Sequence, residues 1–469
     1  MSERGGYPGS ETAPIGILAG SGTLPAEVAR SIIAGGGRVH IVRIGPDEDG
    51  ALAGFPVDTF GWGQMGGIFS SFRRAGCREL VFVGSVRRPD LTTLRPDLGL
   101  FYHLPGLLGL VVAGGDDGLA RTSIRFVETR GFKVASIADV APGLLVPAGA
   151  LGVDTPDADD MADILLGSSV VRALGRHDIG QGVVVSEGGI EAIEGAEGTD
   201  RMLERVARQR GASGFVERGR RRGVLVKRPK PGQEMRIDIP AIGPRTIDRA
   251  EAAGLSGIAV LAGATLAADR PALIRRAAEA RMFVYGFTEG DMPPAATRGI
   301  AAPQYELERL DQGSRAGRSL WVAGLFGFSP LARGTRALGG SDASDARRGA
   351  GALASLAALG RSGAVVVVNG YSIGIEPSAD IGGLIERTAH IRPWGVGRWR
   401  RRAGVVVVSR AADVGDDVIA RAGAARLSAV AICDASGGDQ RIARIAETAA
   451  AAGFSVVGVR AIDEGGGGV

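Results

Sequence analysis

The fold class follows from one stretch near the start of the chain, Ile15-Gly16-Ile17-Leu18-Ala19-Gly20-Ser21-Gly22-Thr23-Leu24-Pro25. Its apolar first half predicts a buried strand, the Gly-Ser-Gly turn ends that strand, and Pro25 suits the first turn of a helix. The helix is predicted to end at Gly35-Gly36-Gly37, just before a second strand, Val39 to Ile44. A strand, a helix and a strand in succession predict a parallel sheet, which binds ligands at the carboxyl ends of its strands.

The turn after the first strand is the first candidate ligand site. Its small residues Gly20, Ser21, Gly22 and Thr23 are candidate substrate contacts. The full pattern Gly-x-Gly-x-x-Gly is not present, because proline occupies the position of its third glycine, and the second strand ends near Arg43 instead of an acidic residue. A dinucleotide-dependent oxidoreductase is therefore disfavoured.

Composition narrows the class of protein further. A length of 469 residues predicts two or three domains, and 45% apolar residues are enough for buried cores. The formal charge of +4 is small for this length, so no nucleic-acid partner is expected. Cys77 and Cys433 lie far apart in apolar sequence, which predicts neither a disulfide nor a zinc site and fits a reducing cytoplasm.

No membrane-inserted segment is expected. Residues Met1 to Pro14 are polar and lack the basic and apolar regions of a signal peptide. The longest apolar stretch, Leu98 to Ala113, is interrupted by His103 and Pro105 and falls short of the roughly 20 residues that a spanning helix needs.

Paired carboxylates mark a second turn of the first domain, which is predicted to cover residues 14–150. Asp116 and Asp117 follow two glycines and precede a predicted helix, Leu119 to Arg130. Two interpretations of the pair stay open. The carboxylates could bind Mg²⁺ or ribose hydroxyls, or an aspartate could cap the helix.

A second α/β domain is predicted over residues 151–288. It begins with a helical pattern and the strand Gly182 to Val185, and it contains a Thr199-Asp200 pair ahead of another helix. Helix starts offer free amides to anions, although a structural cap is the more common use of such a pair.

The densest set of candidate residues follows a predicted strand, Gly223 to Val226, in a loop rich in cations and proline. These residues are Lys227, Arg228, Lys230, Gln233 and Asp238. Cationic and amide side chains bind phosphate oxygens, and a carboxylate holds a divalent cation or orients water. The alternative interpretation is a solvated basic loop.

Taken in order, five segments of the chain resemble one enzyme family, the LpxI-type UDP-2,3-diacylglucosamine pyrophosphatases of lipid A biosynthesis. The segments are Gly20 to Pro25, Gly115 to Asp117, Glu194 to Asp200, Lys227 to Gly243 and Gly254 to Arg270. The resemblance covers residues 14 to about 288. The chain departs from the family pattern at Glu234, Ala241 and Leu261.

This resemblance implies a fold, a reaction and site residues. It implies a Rossmann-like domain and an α/β domain that enclose the substrate, and a Mg²⁺-dependent hydrolysis that yields UMP and 2,3-diacylglucosamine 1-phosphate (lipid X). Asp238 matches the catalytic aspartate of the family, and Thr199 lies in its substrate-contacting turn. With Asp116 and Asp117, Asp238 is also a candidate metal ligand. UDP is expected against Gly20 to Thr23 and the Thr199 cap.

A substrate with two acyl chains implies an apolar contact surface and docking on a membrane. Leu98 to Val112 is the candidate surface, with an ordinary buried helix as the alternative. The expected location is the cytoplasm, peripheral on the inner membrane of a Gram-negative bacterium.

The C-terminal third repeats short sequence segments of the second domain. Residues 289–350 are predicted as a linker and residues 351–462 as a diverged copy. The similar segments are Ala358–Arg361 and Ala173–Arg176, Val365–Val368 and Val183–Val185, Gly404–Val408 and Gly223–Val226, and Leu427–Ile432 and Leu255–Val260. The sequence thus predicts an α/β protein with a Rossmann-like parallel sheet, a second α/β domain and a degenerate repeat of it.

The copy lacks the candidate site residues of the second domain. Ser409 to Asp413 replaces the basic loop, and Glu376 to Asp380 replaces the Glu-Gly-Thr-Asp turn. A structural or regulatory role is therefore predicted. The family resemblance implies a homodimer through the second domain, or an internal copy that takes the place of the partner. A nucleotide-sugar-binding or regulatory protein without turnover stays open as the rival function.

Overall fold

The structure is a computed structural model that describes residues 13–45, 50–61, 63–84, 116–212, 221–291, 304–309, 338–377, 380–391, 402–434, 439–453 and 455–462. It consists of two compact units. The first unit comprises Met1–Pro147, Gln233–Pro244 and Ala262–Arg275, and the second comprises Ala148–Gly232, Arg245–Leu261 and Arg276–Val469. The predicted acyl-chain surface, residues 98–112, lies outside the described residues.

The first unit contains the predicted parallel sheet. Its strands are β1 (Ile15–Ala19), β2 (Val39–Ile44), β3 (Val57–Phe60), β4 (Glu79–Val83) and β5 (Lys133–Val134), in the order β3-β2-β1-β4-β5. Every pairing is parallel. The helices are α1 (Leu24–Ala34), α2 (Met65–Arg74), α3 (Asp116–Glu128) and the short α4 (Ile137–Val140). The Rossmann-like α/β prediction is confirmed.

Both faces of this sheet are covered by apolar side chains. Ile17 and Ala19 lie in a core with the buried face of α1, while Leu80 and Val42 lie in a second core with α2 and α3. This is expected of a parallel sheet whose crossover helices lie on both sides. A Cβ at Gly16 would lie 2.4 Å from the Leu80 side chain and 2.8 Å from the Phe72 ring, so a larger residue there would displace these side chains.

A segment distant in sequence completes the first unit. Strand β10 (Ala241–Ile242) pairs in parallel with β12 (Leu266–Ala267). Ile239 packs on the core beside α1, and Ile237 packs on the core beside α2. The part of the loop that carries Asp238 is therefore anchored on the N-terminal sheet domain.

The second unit contains two sheets of the same topology. The first has the order β6 (Gly149–Ala150), β13 (Phe283–Phe287), β11 (Gly257–Leu261), β9 (Val224–Lys227), β7 (Gly182–Ser186), β8 (Gly189–Ile193). The second has the order β14 (Gln304–Arg309), β19 (Ser455–Ile462), β18 (Ala429–Asp434), β17 (Val405–Arg410), β15 (Ala364–Val368), β16 (Tyr371–Glu376). Parallel and antiparallel pairings follow the same order across both sheets, so the C-terminal region repeats the fold of the second domain.

Helices flank both sheets. Those of the first repeat are α5 (Ala158–Gly175), α6 (Gly198–Ala212), α7 (Pro244–Ala252) and α8 (Arg270–Glu279), and the last two also include residues of the first unit. Those of the C-terminal repeat are α9 (Gly340–Ala357), α10 (Ile381–Ile391), α11 (Asp416–Ala424) and α12 (Asp439–Ala451). None of the helices within the described ranges is long and apolar enough to cross a membrane.

The two repeats share one hydrophobic core. Leu174 of α5 and Leu356 of α9 belong to the same buried cluster, together with inward-facing valines of both sheets. His177 bonds Ser355 of the other repeat, with 3.1 Å between Nε2 and Oγ. Burial lowers the pKa of His177 to about 4, so this imidazole is neutral at physiological pH.

Two ordered elements correct the predicted linker, residues 289–350. Strand β14 forms the edge of the second sheet by antiparallel pairing with β19, and α9 begins at Gly340. The small and polar residues at the start of α9 are typical of linkers. Their burial against the sheets makes them helical, which the local sequence does not indicate.

Candidate functional site

The glycine turn of the first unit lies where it was predicted, at the carboxyl end of β1. The Gly20 amide donates to the Val83 carbonyl at 2.8 Å, and Gly22 has a φ of +101° that favours glycine. A Cβ at Gly84 would lie 2.7 Å from the Ser21 carbonyl oxygen, so two strand ends meet closely here. Gly22 and Thr23 are exposed at the start of α1, in a position suited to an anionic ligand.

The Asp238 loop holds its carboxylate through a neighbouring amide. The buried Gln233 side chain donates from Nε2 to Asp238 Oδ2 at 2.8 Å and to the Asp238 carbonyl at 2.7 Å. The Asp238 amide donates to the Glu234 carbonyl at 3.0 Å. The half-buried carboxylate is thus oriented before any ligand binds.

Ion pairs and a hydrogen bond to the sheet domain hold the rest of this loop. Arg236 donates to both carboxylate oxygens of Glu234 at 2.9 Å and to Glu128 at 3.1 Å. The Arg236 guanidinium lowers the pKa of Glu234, which keeps that carboxylate charged. Ser136 Oγ donates to the Met235 carbonyl at 3.2 Å. Residues Gln233–Pro244 of the loop are therefore held within the first unit.

Asp116 and Asp117, the other predicted metal ligands, are the first two residues of α3. Their side chains lie outside the described residues. Their role as magnesium ligands stays a prediction.

In the second unit, a chain of three hydrogen-bonded groups joins a cation to a buried carboxylate. Lys227 ends β9 and donates from Nζ to Thr199 Oγ1 at 2.9 Å, and Thr199 donates to Glu194 Oε1 at 3.1 Å. Burial raises the pKa of Glu194, and the Lys227 charge opposes that rise. Lys227 and Thr199, predicted separately, are thus brought into direct contact.

The other predicted cations form ion pairs within the second unit. Arg228 donates to Ser168 Oγ at 3.0 Å and pairs with Glu289, while Lys230 donates to Asp178 Oδ1 at 2.5 Å. Both cations are buried, so the interpretation as a solvated basic loop is wrong for them.

Asp200 lies apart from this buried group. Its side chain is exposed and pairs with Arg245 at 3.0 Å.

Comparison with known proteins identifies the family. Residues 14–144 match the family model of the LpxI N-terminal domain, and residues 147–285 match that of the LpxI C-terminal domain. A UDP-2,3-diacylglucosamine pyrophosphatase LpxI of Caulobacter vibrioides is 41% identical over 280 residues, which cover 60% of this chain and 99% of that protein. This chain belongs to the LpxI family.

The LpxI match includes every predicted site residue, from the Gly20 turn to Asp238. It ends at residue 285, so the C-terminal repeat lies beyond the matched LpxI domains. The repeat is an addition to the part of the chain that this family member shares with its relative.

The residues around Asp238 fit magnesium with help from a substrate. Magnesium in phosphate-processing sites is held by one or two carboxylates together with substrate phosphates. Within the described ranges, no group of three or more His, Cys, Asp or Glu side chains is arranged to hold a metal. The assignment of Asp238 as a magnesium ligand stays a prediction.

The sequence-based reasoning missed Glu194 as a site residue. Glu194 is buried, and its Oε2 has no hydrogen-bond partner among the described residues. One signal was present in the sequence. Ile193-Glu194 recurs as Ile375-Glu376 at the end of the matching strand in the C-terminal repeat.

Proposed function

We propose that this chain hydrolyses the pyrophosphate bond of UDP-2,3-diacylglucosamine with magnesium and yields UMP and 2,3-diacylglucosamine 1-phosphate. As a member of the LpxI family it is a UDP-2,3-diacylglucosamine pyrophosphatase of lipid A biosynthesis. The metal, the products and the residue roles are the proposed part. The observation that carries these roles is the Asp238 carboxylate, which the buried Gln233 side chain holds by a hydrogen bond.

Asp238 acts on the attacking water or holds the metal that does. The Gln233 amide occupies one side of Asp238 Oδ2 and fixes the carboxylate plane, which reduces the reorganisation needed when substrate binds. Hydrolysis adds water to phosphorus, breaks the bridging P–O bond and releases a proton. A carboxylate near the water accepts that proton. Magnesium, when bound, neutralises charge on the diphosphate.

Lys227 supplies positive charge to the diphosphate. Its stem is buried in β9 and its ammonium is held by Thr199, so the charge has a fixed direction. A preorganised cation at a developing oxyanion contributes more than a mobile one. We assign Arg228 and Lys230 supporting electrostatic roles, since Glu289 and Asp178 already pair with them. The exposed turn Gly20–Thr23 is proposed to bind the UDP group.

The substrate's acyl chains would bring the protein to a membrane surface. We propose peripheral action on the inner membrane from the cytoplasm of a Gram-negative bacterium. The C-terminal repeat is proposed to take the place of a second subunit, because it shares one hydrophobic core with the second domain.

Hydrolysis of UDP-2,3-diacylglucosamine in magnesium tests this function. Asp238→Ala should lower kcat by about a thousandfold or more while UDP still binds, because the variant loses the reacting group but keeps the nucleotide contacts. Asp416→Ala, which changes an exposed aspartate of the C-terminal repeat, is the control and should keep full activity. Full turnover by Asp238→Ala would remove Asp238 from the site. Binding without turnover in the unaltered protein would favour the rival, a nucleotide-sugar-binding protein.

A further inference from the structure

The C-terminal repeat contacts the turn that carries Thr199. The Ala196 amide of this turn donates to the Ile373 carbonyl of β16 at 2.9 Å. A Cβ at Gly195 would lie 2.7 Å from the same carbonyl oxygen and 3.0 Å from Gly374 Cα, so the two backbones are in close contact. Strand β16 therefore borders the turn with no room for a side chain between them.

A buried ion cluster holds the same turn from the other side. Arg205 of α6 donates to the Ile193 carbonyl at 3.2 Å and to Glu197 Oε1 at 2.9 Å. Its other terminal nitrogen lies 3.7 Å from Glu376 Oε2, the last residue of β16. The side chains of Arg205 and Glu376 are 5% and 1% exposed. Solvent screens such a pair weakly, so each charge depends on the other.

The carboxylate of Glu376 interacts with arginines of both repeats. Arg387 of the C-terminal repeat donates to Glu376 Oε2 at 2.7 Å, so this oxygen faces guanidinium groups of both repeats. Removal of the Glu376 charge would leave Arg205 in contact with the Glu197 carboxylate, at 2.9 Å. The Arg205–Glu197 contact fixes the turn one residue before Gly198, where α6 begins.

Movement of this turn would reach the proposed site directly. Glu194 and Thr199 lie at the two ends of the turn and are hydrogen-bonded to each other. Thr199 also accepts a hydrogen bond from the Lys227 ammonium. A small displacement of the turn would redirect the Lys227 charge. Misplacement of a catalytic group by about 1 Å can lower a rate by roughly a hundredfold.

We propose that the C-terminal repeat is a positioning element for the pyrophosphatase site, which it holds through the Ile373 carbonyl and the Glu376 carboxylate. The inference rests on the proposed function of Lys227 and Thr199. It explains why this repeat keeps a buried Glu376 and its Arg387 partner although it has lost the phosphate-binding loop. Glu376 acts through the turn, so it is a positioning residue and touches no substrate.

A double-mutant cycle on the full chain tests this role. Glu376→Gln removes the charge and keeps the shape, and Thr199→Ala removes the group through which the turn acts. The matched control is Glu386→Gln, which changes an exposed glutamate of the same repeat that pairs with Arg421. Each variant is measured by kcat/KM for UDP-2,3-diacylglucosamine, by UDP affinity in calorimetry, and by hydrogen exchange of the peptide that contains Ala196.

The inference predicts a lowering of kcat/KM by about tenfold in Glu376→Gln, faster exchange at Ala196, and no change in the control. In the Thr199→Ala background the same substitution should cost less than about twofold, because the two act through one contact. An unchanged kcat/KM, or an equal loss in both backgrounds, would overturn it. Arg387→Gln replaces Glu376→Gln if the latter does not fold.

The two failures can be told apart. A wild-type chain that binds UDP without turnover would contradict the proposed function, and the cycle on UDP affinity would then decide the positioning role. Active wild type with an additive cycle would contradict the positioning role alone.

Discussion

The two repeats of the second unit share a framework and differ in chemistry at matching positions. Asp163 accepts the backbone amides of the hairpin residues 187–188, and Asp345 accepts those of residues 369–370 in the same way. Glu194 and Glu376 are separated by the same number of residues as Asp163 and Asp345. Buried aspartate caps and strand order have thus been kept, because the fold needs them.

At the proposed site the repeats diverge. Lys227 pairs with Gly182 in the strand register, and Val408 pairs with Ala364 in the matching register. Where α6 begins at Gly198 and continues with Thr199, α10 begins with Ile381. Val408 and Ile381 are buried and apolar, so the framework accepts aliphatic side chains at both places. Burying an ammonium costs desolvation free energy, so its presence in this repeat alone agrees with the role proposed for Lys227.

The largest effect of a substitution is expected at Lys227, where the two repeats differ. Lys227→Met keeps the stem and removes the charge, and it should lower kcat/KM by about 10²- to 10³-fold, as loss of a preorganised transition-state donor does. The melting temperature should fall, because the buried Glu194 carboxylate loses the positive charge that opposes its burial penalty. Lys133→Met changes an exposed lysine paired with Glu79 and serves as the control. Activity within about threefold of wild type would show that the lysine is structural.

A second test compares the helix–sheet contacts of the repeats. A Cβ at Gly167 would lie 2.7 Å from Val226, and a Cβ at Gly349 would lie 2.4 Å from Val407. Each alanine substitution should lower the free energy of unfolding by about 2–3 kcal/mol, because the packed core has no space for a methyl group. Urea unfolding of Gly167→Ala and Gly349→Ala measures this. A neutral Gly349→Ala would mean that the C-terminal repeat is packed more loosely than its counterpart.

The sequence predicted the strands of both repeats better than their helices. The valine-rich segments 365–368 and 404–408 were predicted from their similarity to strands of the second domain, and the structure has strands at Ala364–Val368 and Val405–Arg410. The start of α9 at Gly340 was not predicted, because its small and acidic residues become helical only when buried by the sheet. The predicted match of Ala173–Arg176 with Ala358–Arg361 was also out of register. Leu174 and Leu356 are the matching residues, since their carbonyls accept the amides of residues 179 and 361.

For the candidate site, the sequence predicted residue types but not their partners. Lys227 and Thr199 were separate candidates, and their contact depends on how β9 and α6 pack. Lys230 pairs with Asp178 and Arg228 pairs with Glu289, and neither carboxylate belongs to a sequence motif. Tertiary packing determines which cations are paired, and spacing along the chain does not encode it.

The pH dependence of stability offers a third test, at the retained aspartate cap. Burial raises the pKa of Asp345 from its usual 3.8 to about 6. The folded state therefore binds this proton more tightly than the unfolded state, and stability falls as pH rises from about 4 to about 6. The decline should be about 2 kcal/mol. Thermal unfolding of Asp345→Asn should lack that decline, whereas Asp416→Asn, on the exposed surface, should show it. An unchanged pH profile in Asp345→Asn would contradict the assignment.

The smallest expected effect concerns one exposed bond between the repeats. Arg361 donates to the Gly188 carbonyl at 2.6 Å and so joins the C-terminal repeat to the β7–β8 hairpin. Arg361→Gln should lower the free energy of unfolding by about 0.5–1 kcal/mol, since water competes for both groups. Arg444→Gln breaks an exposed ion pair within one repeat and should change stability by less. If Arg361→Gln instead loosens hydrogen exchange across both repeats, the edge bond, and not the shared core alone, couples them.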